Sequence, residues 1–76
     1  MHISESTIAA TVTSLRDILQ EAATLALSAD AALAAGNRNL AIGNLLPLEQ
    51  LLPTAQALLG ASLALHRRAP PWGKDR

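Results

Sequence analysis

The chain has 76 residues, enough for one small domain. Half of it is apolar, with 16 Ala and 15 Leu against a single Val, a single Trp, and no Phe, Tyr or Cys. Ala and Leu lead the helix scale while strand formers are scarce, so an all-α protein is expected and a β-sandwich or disulfide scaffold is excluded. Six basic and six acidic residues cancel, which disfavours nucleic acid as a partner, because phosphate binding needs a basic footprint.

In chain order, the first expected element is a long helix from about Ser4 to Ala35. Ser4, Ser6 and Thr7 are candidate N-caps, and Gly36 is the first helix-stopping residue. Such a helix would be about 45–48 Å long at 1.5 Å per residue, too long for the rest of a compact monomer to cover. Its apolar positions Ile8, Val12, Leu15, Leu19, Ala22, Ala26, Ala29 and Leu33 step by four and three, as in an a/d heptad seam. Ile18, Leu25 and Ala32 lie beside this seam and widen it. The seam is large in its first half and small in its second.

Gly36-Asn37-Arg38-Asn39 is the strong turn of the chain: Gly36 ends one helix in a left-handed conformation, and Asn37 or Asn39 can cap the next. Gly36, Asn37, Ala41, Ile42, Leu45 and Pro53 together resemble the end of a tetratricopeptide-type unit over residues 25–53. The family's upstream aromatic and glycine positions fall on Leu25, Ser28, Ala29 and Ala32, and only one unit is present. The resemblance implies an antiparallel helical hairpin.

The second half repeats the four-and-three spacing through Ala41, Leu45, Leu48, Leu52, Ala55, Leu59 and Ser62. The register passes through Pro47 and Pro53, each of which removes a backbone donor. Two readings remain: a helix over 38–51 followed by another from Pro53 to about Arg68, or one long helix bent at the prolines. The expectation adopted is a break near Pro53 with the axis continued. Residues 1–68 then form the hairpin domain and 69–76 a Pro-rich tail. In the tail Trp72 is expected to cap the bundle end or to anchor a partner, and Arg67 and Arg68 are further candidate partner contacts.

The catalytic inventory is thin. His2 and His66 have no acidic neighbour in sequence, Asp17 and Glu21 read as a solvated face, and no phosphate loop, metal-ligand pair or nucleophile motif occurs. No catalytic, cofactor-binding or metal site is expected. No signal peptide and no membrane span are expected, which favours the cytoplasm.

The apolar content exceeds what one hairpin can bury, so a homodimer forming a four-helix-type bundle is expected, acting on an unidentified protein target. A short Ala/Leu-rich chain with this turn and the end His66-Arg67-Arg68 also resembles the small helical-hairpin proteins of phages and prophages. Several of those inhibit a host regulator or defence protein, and the resemblance implies the same role. The alternatives are a DNA-binding regulator or a structural adaptor or assembly factor.

Overall fold

The computed structural model describes residues 3–68, and every regular element among them is helical. Helix α1 spans Ile3–Ala34, α2 spans Arg38–Leu45 and α3 spans Leu48–Arg67. The chain folds back at residues 35–37, and α1 packs along both α2 and α3. This is the antiparallel hairpin expected from the sequence, with a long first arm and a bent second one. Ser4, Ser6 and Thr7 lie inside α1, whose start falls at Ile3, so they are not its caps.

The turn is built by backbone bonds. The Asn37 N–H donates to the Ala32 carbonyl at 2.8 Å and the Gly36 N–H to the Leu33 carbonyl at 3.0 Å. That pair is the Schellman arrangement, which consumes carbonyls left over at a helix end. It places Gly36 at φ +83°, where a Cβ is strained although nothing would obstruct it in space. Asn37 then caps α2, its Oδ1 accepting from the Leu40 N–H at 3.1 Å. Gly36→Ala is expected to destabilise the hairpin by about 1 kcal/mol, read as a lower midpoint in urea. An unchanged midpoint would contradict the turn assignment.

The second arm breaks at Leu46 and Pro47, not at Pro53. Pro47 has no N–H to continue α2, and its φ of −60° suits the N-cap of α3 that it occupies. Its carbonyl accepts from Gln50 and Leu51, each at 3.0 Å, so helical bonding resumes at once. Both Leu46 and Pro47 keep right-handed helical angles, so the arm bends at the break without reversing direction. Pro53 lies inside α3. It is tolerated there because Pro53 and Glu49, whose carbonyl loses its donor, both face solvent, and water can serve that oxygen.

Pro53→Ala is therefore expected to raise stability by about 1–2 kcal/mol. The interior-helix cost of about 3 kcal/mol is partly offset by proline's stiffening of the unfolded chain. Thermal melting followed by circular dichroism checks this, and a lower midpoint would mean that Pro53 stabilises the hairpin.

The buried positions of the hairpin interface are small residues. Ala22, Ala29, Ala32, Ala41 and Ala55 are its buried apolar side chains, with Ala29, Ala32 and Ala41 in one cluster. Around them the half-buried positions Ile8, Thr11, Leu15, Ile18 and Leu25 on α1, and Asn44, Leu48, Leu51, Leu58 and Leu65 on the second arm, complete two stripes. Each stripe steps by three and four, and each carries one hydroxyl residue, Thr11 on α1 and Ser62 on α3. Both hydroxyls satisfy themselves on their own helix: Thr11 Oγ1 donates to the Thr7 carbonyl at 2.9 Å, and Ser62 Oγ to the Leu58 carbonyl at 2.9 Å.

An unpartnered apolar face as the candidate functional site

The heptad spacing is present, but the hairpin contact is centred one column to the side of the expected seam. Of the expected positions, Ile8, Leu15, Ala22 and Ala29 on α1 and Ala41, Leu48, Ala55 and Ser62 on the second arm point into the hairpin. The second inward column is Thr11, Ile18, Leu25 and Ala32, the set flanking that seam. Val12, Leu19, Ala26 and Leu33, with Leu45, Leu52 and Leu59, are left exposed. Val12 and Leu19 are each 47% accessible and Leu33 is 57% accessible.

The exposed columns share one face. On each helix the exposed column follows the shared inward column by four residues, a turn of about 40° beyond a full revolution. The two arms are right-handed and antiparallel, so equal offsets on both carry the columns to the same side of the hairpin. That face presents Val12, Leu19, Ala26 and Leu33 beside Leu45, Leu52, Leu59 and His66. The opposite face presents Ser14, Glu21 and Ser28 beside Pro47, Thr54, Ala61 and Arg68, all exposed. Among the described residues six of the eleven exposed large apolar side chains, Val12, Leu19, Leu33, Leu45, Leu52 and Leu59, thus share one side, while Leu27 at 71% accessible, Leu40 and Leu46 stand off it.

Small interface residues explain the exposure. Alanines let the two backbones come close, and a close contact covers only the two central columns of each helix. Leucine columns one step further round stand clear of the opposite arm. An open groove of about 450 Å³ lies on α1 along this face, lined by Val12, Leu15, Arg16, Leu19, Gln20 and Ala23. Arg16 at its edge pairs with Asp17 at 2.9 Å, with both side chains well exposed. Such a pair adds little to stability.

Further apolar side chains stand exposed near the turn. Leu40, Ile42 and Leu46 are 51%, 51% and 56% accessible. Helical spacing turns Leu40 and Leu46 away from the apolar face. Arg67 and Arg68 are exposed at the far end of α3, where cations suit the helix dipole. Trp72 and the rest of the Pro-rich tail lie outside the described residues. Among the described residues no group of three or more His, Asp or Glu side chains could hold a metal ion. None of the described helices is long and apolar enough to cross a membrane. The apolar face was legible in the sequence as columns of residues seven apart, but spacing alone did not tell the inward columns from the outward one.

No family model, curated protein or solved structure matches this chain.

Proposed function

We propose that the chain is a non-enzymatic, cytoplasmic protein-binding module: a homodimer of helical hairpins, forming a four-helix-type bundle, that binds and inhibits or modulates another protein. The observation that carries this reading is the single apolar face, with exposed leucines from both arms on one side of a hairpin whose buried apolar side chains are all alanines. Contiguous apolar surface of this extent marks association. Self-pairing covers that face and leaves the turn end free. The target then docks on the turn end, where Leu40 and Leu46 supply apolar contact outside the self-association face. The resemblance to phage-borne hairpin inhibitors supplies the class of target, a host regulator or defence protein.

The test compares the immobilised protein with a Leu40→Asp/Leu46→Asp variant against lysate of the source cells. The expected result is one protein retained in stoichiometric amount by the unmutated chain and lost, by tenfold or more, from the variant. The variant should keep its helix content and oligomeric state. Equal retention by both, or no specific retention, would refute the turn end as the docking site.

A further inference from the structure

We infer that the apolar face is covered by a second copy of this chain, antiparallel over the first and α1 on α1, about a two-fold axis crossing the bundle near Ala22 and Ala23. The inference rests on the homodimer reading above and specifies its geometry. Three observations lead to it.

The first is size. The face runs from Val12 to Leu33, about 32 Å at 1.5 Å per residue, across two packed helices about 20 Å wide. That is about 600 Å² per copy and about 1,200 Å² for a pair, the lower bound for a stable specific interface. It also stands at the upper end of the largest apolar patches, about 300–600 Å², that monomers leave in water.

The second is shape. The exposed column of α1 reads Val12, Leu19, Ala26, Leu33: large, large, small, large. Inverted about its midpoint, it sets Leu19 of each copy over Ala26 of the other, and Val12 over Leu33. Large over small is the pairing that fills a helical interface without voids. Leu52, on the α3 side near the same level, falls close to the axis and packs toward its own counterpart.

The third is charge. The column flanking the face on α1 is Ala9, Arg16, Ala23 and Asp30. The same axis brings Arg16 of each copy beside Asp30 of the other, twice. Stacking α1 over α3 instead would set Arg16 level with Gln56 and Asp30 level with Ile42, with no charge matched. The antiparallel arrangement places the two Glu49 carboxylates beside the axis on the α3 side, an exposed like-charge pair of small cost. Opposed charges at the edge of an apolar contact fix register more than they add affinity.

The chain has no cysteine, which permits a direct test. In a Leu19→Cys/Ala26→Cys variant the two thiols sit two helical turns apart, about 10.5 Å, too far to bridge within one chain. Mild oxidation is expected to convert most of the protein to a covalent dimer on a non-reducing gel. The matching pair on the polar face, Ser14→Cys/Glu21→Cys, is expected to give none above background. If the double variant loses helix content, an equal mixture of the two single variants carries the same test. Sedimentation of the unmutated chain separates self-association from its geometry. A monomer overturns the homodimer reading and this inference together. A dimer that does not cross-link through Leu19 and Ala26 overturns the α1-on-α1 arrangement and leaves self-association standing.

Discussion

Leu19→Asp is expected to weaken self-association by at least about 100-fold. Leu19 is half exposed in the hairpin, sits at the middle of the apolar face and borders the groove on α1. In the paired bundle each copy would bury one carboxylate against Ala26, and the cation one turn away, Arg16, is already paired with Asp17 at 2.9 Å. An unpaired buried charge costs several kcal/mol, and each 1.4 kcal/mol is a factor of ten in affinity. Sedimentation equilibrium across a concentration series measures the effect. The control is Ser28→Asp, which adds the same charge to the opposite face and is expected to leave the association constant within about twofold. If Leu19→Asp associates as tightly as the parent chain, the apolar face is not the self-association surface.

Ala41→Leu is expected to be the most damaging change within the hairpin itself. Ala41 is 3% exposed and packs with Ala29 and Ala32, which are 6% and 7% exposed. At this point the arms meet just beyond the turn, and the Schellman bonds from Gly36 and Asn37 hold the backbone. Three extra carbons have nowhere to go without separating the arms. Overpacking of this kind costs about 1–3 kcal/mol, which lowers the melting point of a domain this size by about 4–8 °C per kcal/mol. Ala31→Leu, one turn-face away and exposed, is expected to leave the midpoint nearly unchanged. Equal melting points for the two variants would show that the arms are not in close contact at Ala41.

The helices themselves were readable because local physics decides them. The Ala and Leu content, the lack of Gly and Pro before Gly36, and Asn37 placed to cap α2 are local signals, and each acts as expected in the structure. The location of the bend was not readable. Pro47 and Pro53 carry the same defect, a missing donor and a fixed φ, and both fit the four-and-three register. They differ in how the chain accommodates the lost bond. At Pro47 the chain can restart with Gln50 and Leu51 donating to its carbonyl, whereas at Pro53 the orphaned carbonyl of Glu49 sits on a solvated side where the helix can continue. That distinction depends on which side of the arm faces α1.

From the sequence alone come the helical class, the turn at Gly36, and two apolar runs of matched heptad spacing. Only the tertiary structure decided which columns face inward. On α1 three neighbouring columns beginning at Ile8, Thr11 and Val12 all look compatible with a core, and spacing cannot rank them. Contact with the second arm ranks them. Close approach selects Ala22, Ala29, Ala32, Ala41 and Ala55, while Thr11 and Ser62 are accepted inside because each hydroxyl bonds to its own helix. The column of Val12, Leu19, Ala26 and Leu33 is thereby turned outward, and three large apolar side chains of α1 are left on the surface beside those of the second arm.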